Sequence, residues 1–295
     1  MDPTALYLGN PALLGDDRLR GLPMIVALSG YVEAGHLAGQ IEAVVLDSMP
    51  SETVARFDLD QLYDYRSRRP RVTFAEDHFE DWEAPELNLH LVTDGLDRHF
   101  LLLTGPEPDT QWERFAAALM GLIEQLDVRL TISAHGIPMA VPHTRPITLT
   151  AHATDASLVT GYRSWIDRVE VPASFVALLE LRLGQAERRA MGFAVHVPHY
   201  LAQATFPEAA LSLTRSINAA TGLAVPLEPL EKASASNLED IAAEMQTSQE
   251  VQELVSTLEQ QYDALQAEHQ GVPSADDIAA EFEKFLADRE KKDDE

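Results

Sequence analysis

The chain's 295 residues are enough for one large domain, with or without an appendage. Its composition, 45% hydrophobic and 24% charged, is that of a globular protein with a full core. The absence of cysteine excludes disulfides, thiolate nucleophiles and zinc–cysteine sites. A formal net charge of −26 argues against nucleic-acid and anionic-membrane partners, because neutralising phosphates needs a basic face.

The first residues, Met-Asp-Pro-Thr, lack the basic stretch of a secretion signal, and the apolar runs fall short of a membrane span. The expectation is a cytoplasmic protein. The charge is uneven. Residues 228–295 carry 19 acidic and 5 basic side chains, net −14, and all four lysines (Lys232, Lys284, Lys291, Lys292) lie there. Every cation before them is arginine, which removes phosphate-loop, Schiff-base and pyridoxal-phosphate lysines from the rest of the chain. This change of character divides the chain into an α/β core domain, residues 1–228, and an acidic helical C-terminal segment, residues 229–295.

In chain order, Leu22–Leu28 reads as a buried strand. A small-residue turn, Ser29-Gly30-Tyr31-Val32-Glu33-Ala34-Gly35, leads from it into a helix with Leu37, Ile41, Val44 and Val45 on one face. The spacing is not GxGxxG, so a dinucleotide site is only weakly supported. Thr53–Phe57 is the next strand. Tyr63-Asp64-Tyr65-Arg66-Ser67-Arg68-Arg69-Pro70-Arg71 is the chain's basic cluster. Its Tyr63, Tyr65, Arg66 and Arg69 are residue types that dominate interfaces and anion recognition. A solvated loop leading into a Val72–Ala75 strand accounts for them as well.

Leu87–Leu91 and His99–Thr104 are strands joined through Asp94-Gly95. Thr110 to Glu113 is a capping box opening a helix to about Leu126. Leu130–Ala134 is a buried strand that breaks at His135-Gly136. Pro138, Pro142 and Pro146 then fix a stiff arch carrying His143, Thr144 and Arg145, and an alternating strand resumes at Ile147–Ala151. Residues 155–171 are irregular, with Tyr162, Arg163 and Trp165 over the core edge. A helix from about Ala173 to Gly184, a strand Phe193–Val197 and a helix from Pro207 to Gly222 complete the core. The alternation predicts a layered α/β domain with a parallel or mixed sheet.

Past Pro226 and Pro229, a capping box at Ser236 to Glu239 opens a helical stripe. Val251, Val255, Leu258, Tyr262 and Leu265 follow at 4-3-4-3 spacing. After Gly271-Val272-Pro273 a last helix carries Ile278, Phe282 and Phe285. The result is an acidic C-terminal helical hairpin, which must dock on the core or a sister subunit because such helices are marginal alone.

In open α/β sheets, ligands bind beyond the carboxyl ends of the strands. A pocket built there from Tyr31, His135, His143, Arg145 and His199 would suit a small anion or carboxylate. The same residues would serve a well-ordered structural crossover. His196 and His199 flank a proline at a strand end, so their rings diverge and no metal site is assigned. There is no GxSxG elbow and no carboxylate pair for acid–base work. No catalytic residue and no cofactor are assigned.

Gly30-Tyr31-Val32-Glu33-Ala34-Gly35, Tyr65-Arg66-Ser67-Arg68-Arg69-Pro70, Gly105-Pro106-Glu107-Pro108, Gly136-Ile137-Pro138, Pro142-His143-Thr144-Arg145-Pro146 and Val197-Pro198-His199-Tyr200-Leu201 occur in that order. Together they resemble the bacterial branch of the proteasome-assembly-chaperone family, the branch similar to the second chaperone subunit. The resemblance covers nearly the whole chain. It implies a three-layer α/β/α core similar to that of nucleoside phosphorylases, with the helical hairpin appended. It also implies homo-oligomers, trimers among them, and a non-catalytic activity that assists assembly of proteasome α-subunits. Two functions stay open. One is a chaperone or scaffold working through the Tyr/Arg cluster and the acidic helical end; the other is an enzyme or sensor for a small anion or nucleoside.

Overall fold

The computed structural model describes residues 2–31, 33–162 and 168–270. Its elements run β1 (Tyr7–Gly9), α1 (Pro11–Leu14), β2 (Pro23–Ser29), α2 (Leu37–Ser48), β3 (Ser51–Phe57), α3 (Leu59–Leu62), β4 (Thr73–Ala75) and β5 (His78–Glu80). They continue β6 (Asn88–Thr93), β7 (His99–Pro106), α4 (Trp112–Gln125), β8 (Leu130–Met139), β9 (Leu149–Ala153), α5 (Phe175–Gln185), β10 (Ala190–Pro198), α6 (Pro207–Thr221), α7 (Glu228–Met245) and α8 (Gln249–Gln270).

A strand covered on both faces needs apolar residues at nearly every position rather than in alternation. β2, β7, β8 and β10 meet that demand and become the parallel centre of an eight-stranded sheet, ordered β1-β3-β6-β7-β2-β8-β10-β9. The outer pairs are antiparallel. Successive residues of β2 point to opposite faces. Met24, Val26 and Leu28 join the layer made by α4 and α5, and Ile25 and Ala27 join the layer made by α2 and α6. The sheet is mixed, with helices on both faces. β4 and β5 stand apart as a two-stranded ribbon.

β8 does not break at His135-Gly136. It runs on to Met139, in register with β10 as far as Pro198. Two features allow this. β2 leaves β8 after Ser133, so Pro138 sits where β8 has a strand on one side. At Gly136 the backbone carbonyl of Ala34 comes so close that an added Cβ would lie 2.2 Å from its oxygen. The arch shrinks to residues 140–148.

The expected capping boxes also fail. α4 starts after Gln111, whose φ is 58°, while Thr110 Oγ donates to the Gln61 carbonyl at 3.1 Å and Glu113 pairs with Arg182. Ser236 lies inside α7, because Pro229 in its first turn lets the helix start at Glu228. There Leu230 and Ser234 are buried, and Ser234 Oγ donates to Glu208 of α6. The buried Asp94 carboxylate ties this region to the β6–β7 turn, accepting N–H bonds from Leu96, Arg98 and Ala224 at 2.8–2.9 Å. Burial works against its charge, yet these donors hold it below the usual carboxylate range.

Of the 4-3-4-3 stripe, Val255 and Leu258 are buried, Val251 and Tyr262 are half-buried and Leu265 is exposed. Tyr162 stacks against Phe193 with centroids 5.6 Å apart. Arg163, Trp165 and the last predicted helix lie outside the described residues. No helix among the described residues is long and apolar enough to cross a membrane.

Gly136→Ala is expected to destabilise the fold by about 1–3 kcal/mol, because the new methyl meets backbone rather than a side chain that can turn away. Urea unfolding of the variant against wild type measures this.

Candidate functional site

Tyr31 follows the carboxyl end of β2 and its side chain is 76% exposed. Its backbone N–H donates to Glu107 at 3.1 Å, and the same carboxylate accepts the N–H of Phe175 at the start of α5. Glu107 thus gathers the ends of β2 and β7 with the first turn of α5. Arg68 is tied in beside it. Its guanidinium donates to the Glu107 carbonyl at 2.6 Å, pairs with Asp109 at 2.7 Å and lies over the Tyr63 ring.

His143 stands on the arch. Tyr200 Oη accepts the His143 backbone N–H at 3.0 Å and lies within hydrogen-bond distance, 2.7 Å, of its Nδ1. His199 also packs edge-on against Tyr200, with centroids 5.5 Å apart. Burial pushes His143 down and Tyr200 up.

Arg145 faces α8 instead. It bonds Asp263 through Nε and Nη2 at 2.8 and 2.7 Å, and Glu259 through Nη1 at 3.1 Å. Thr144 Oγ1 donates to Glu259 at 2.5 Å, and Tyr262 Oη donates to the Pro146 carbonyl at 3.1 Å. The anion that the sequence invites at Arg145 is supplied by the chain's own helix.

His135 is half-buried with its Nδ1 shielded from solvent, on the β8 face that also presents Thr131 and Ser133 toward α5. Its ring lies 6.1 Å from that of His152 on β9, whose Nδ1 is 2.9 Å from the Glu180 carboxylate of α5. Gly192 makes room for this group. A Cβ there would lie 2.3 Å from Ser133 Oγ and 2.2 Å from the His152 ring. Ser133 Oγ and His135 Nδ1 are buried without hydrogen-bond partners among the described residues. Burial, with the His152 charge adding to it, pushes His135 down to about 4. Next to Ser133, a cavity of about 10 Å³ between Thr131, Glu180 and Leu179 is the size of one water.

The five predicted ligand residues therefore lie in separate settings. His143 and His199 share Tyr200, Arg145 belongs to the α8 contact, His135 belongs to an internal polar group, and Tyr31 lies beside Glu107. Sequence reasoning missed Glu107, Tyr200, His152 and Glu180. Glu107 and Tyr200 stood in quoted motifs, but nothing local signals that their partners come from α5 and the arch. His196 turns from His199 and binds Thr148 and Thr150 through its two ring nitrogens, at 2.8 and 2.9 Å. Among the described residues no cluster of histidine and carboxylate side chains is arranged to hold a metal.

Two consequences can be measured. His135 is neutral in the fold down to about pH 4 but takes up a proton near pH 6.5 once unfolded. The unfolded state therefore binds more protons in that window, and stability falls as pH drops from 6.5 to 4. His135→Leu should flatten this slope in melting curves taken across the range. Arg145→Ala should lower the melting temperature without any ligand and speed amide exchange in α8; unchanged exchange there would mean that its apolar contacts alone hold the helix.

The comparisons with known proteins agree with the motifs. The PAC2 family model matches residues 27–246. A Mycobacterium tuberculosis protein of unknown function, Rv2714, is 42% identical with a TM-score of 0.85, over 90% of this chain and 91% of that one. A Corynebacterium glutamicum protein of unknown function is 35% identical with a TM-score of 0.83, over 88% and 97%. The M. tuberculosis proteasome-assembly chaperone homologue Rv2125 shares the fold at 24% identity and a TM-score of 0.72, over 79% and 100%. No curated protein matches. The chain belongs to the PAC2 family.

Proposed function

We propose that the chain is a non-catalytic assembly chaperone or scaffold that works through protein surfaces, with proteasome subunits as its client class. Family membership supports the reading, and so does the likeness in fold to a protein described as a proteasome-assembly chaperone homologue. One observation carries it. Among the described residues most other arginines are drawn into ion pairs or hydrogen bonds, as Arg145, Arg182 and Arg98 show, with Arg168 a lone exposed exception. At Arg66, Arg69 and Arg71 the side chains are exposed and make neither among the described residues. They surround a preorganised root in which Tyr63 and Tyr65 pack edge to face at 5.0 Å and Tyr65 donates to Asp60. Fixed aromatics beside unpaired guanidiniums are the composition of an interface hot spot.

A homo-oligomeric, cytoplasmic protein fits this role. The competing reading, a small-anion or nucleoside site on a phosphorylase-like core, needs a cation free to meet the ligand. Arg145, its best candidate, is held by Asp263 and Glu259.

Mixing the protein with recombinant proteasome α-subunits tests the proposal. The expected result is a complex, seen by sedimentation, and a changed rate of α-subunit assembly. Alanine at Arg66 and Arg69 should weaken protein capture roughly tenfold, at an unchanged melting temperature. Wild-type capture by both variants would reduce the cluster to a solvated loop.

A further inference from the structure

α8 is a long helix with few anchors. Of its 22 residues, Val255 and Leu258 are the buried ones among those described. Its polar attachments lie on the same face. Val255, Leu258, Glu259, Tyr262 and Asp263 follow at 3-1-3-1 spacing, so one stripe carries two apolar residues, two carboxylates and a phenol. The carboxylates meet the Arg145 fork, and the phenol meets the Pro146 carbonyl. The side chains of Arg145 and Asp263 are 31% and 54% exposed, so water and salt compete for their pairing. Residues 246–248 alone join α8 to α7. An element with few buried contacts and solvent-facing polar ones opens at low free energy.

The arch beneath it is fixed from the other side. Pro142 and Pro146 set its backbone. Tyr200 Oη accepts the His143 backbone N–H at 3.0 Å. His196 Nδ1 lies 2.8 Å from the Thr148 hydroxyl, and its backbone N–H reaches the Thr148 carbonyl. Both feet of the arch are thus tied to the end of β10, and none of these bonds involves α8. Residues 140–148 contain no acid. With α8 lifted, the loop would keep its shape and present the Arg145 guanidinium, the Thr144 hydroxyl and the Pro146 carbonyl in a preset array. Such an array accepts a helix that brings two acids four residues apart with a hydroxyl between them, which is the chemistry α8 displays.

We propose that the arch is a receptor for an acidic helix of another protein, and that α8 is its resident occupant, an intramolecular stand-in that the partner helix displaces. The partner helix carries the stripe of α8: apolar residues at i and i+3, Glu or Asp at i+4 and i+8, and Tyr at i+7. Arg145 is free only in molecules whose α8 is lifted, so the apparent affinity for the partner is scaled down by that open fraction. Whatever loosens α8 therefore switches the surface on. The arch is separate from the arginine cluster, and the proposal goes beyond the proteasomal reading without needing its client.

The probe that tests this is a fluorescent alanine-based helical peptide carrying Val, Leu, Glu, Tyr and Asp at the spacing of α8. A control peptide has the two acids moved to the opposite face. The full chain with Leu258→Ser, Glu259→Gln and Asp263→Asn, in which α8 is released, should bind the probe about tenfold tighter than wild type in fluorescence anisotropy. Adding Arg145→Glu to that chain should abolish binding. A probe with lysines in place of its two acids should restore it, a rescue that misfolding cannot mimic. On wild type, excess probe should speed amide exchange in α8 and leave β8 and β10 unchanged. A released chain that binds the probe no tighter than wild type overturns the proposal, as does a control peptide that binds equally well. Probe binding that leaves α8 exchange unchanged overturns it too, because the peptide then sits elsewhere. None of these results touches capture of α-subunits by the arginine cluster, so either reading can fail alone.

Discussion

The pairing of β8 with β10 is the constraint on which the rest of the structure depends. It runs in parallel register from Thr131↔Ala190 to Met139↔Pro198, with β2 attached to one side and β9 to the other. Such a pair must be covered on both faces, so α5 and α6 are required to lie where they do. Placing α5 brings Phe175 to Glu107 and Glu180 to His152. The end of β10 delivers Tyr200 to the arch. The polar groups around Glu107, His152 and Tyr200 thus follow from one strand pair and its two lids.

The arch and α8 show how an acidic chain uses its few cations. An arginine on a proline-stiffened loop is a ready anion receptor, and here the anions come from Glu259 and Asp263, more than a hundred residues later. α8 is held over the arch by polar contacts around buried Val255 and Leu258. Most of the other cations are likewise turned inward to neighbouring acids. At the root of the β4–β5 ribbon Arg66, Arg69 and Arg71 form the cluster that is exposed and without such a partner among the described residues.

Much of the fold was legible because burial on two faces writes itself as unbroken apolar runs. β2, β8 and β10 were found this way, and Pro207 and Gly222 marked the ends of α6. Errors arose where a local signal was outvoted by a distant one. The break expected at Gly136 was a close approach by the backbone of Ala34, and Thr110 caps nothing because Gln61 takes its hydroxyl. Tyr31 and His199 do follow strand ends and His143 and Arg145 do stand on the arch, but His135 lies within β8, and how these side chains group was not legible. Sequence shows which side chains leave a strand, and only the packed helices show that Arg145 meets α8 while His135 turns inward to His152.

His196 has one more consequence. Both of its ring nitrogens are taken by threonine hydroxyls two residues apart, Thr148 just before β9 and Thr150 on it, while its backbone N–H reaches the Thr148 carbonyl. β9 ends the sheet, and a terminal strand held only by its ladder can slide by a residue, turning its apolar side outward. The imidazole works as a key cut for two teeth spaced two residues apart, and a one-residue slide would fit neither. Its neutral form, favoured by burial, is the form that can donate through one nitrogen and accept through the other. The edge of the sheet is therefore locked in phase by a side chain, which guards it against mispairing with a stray strand.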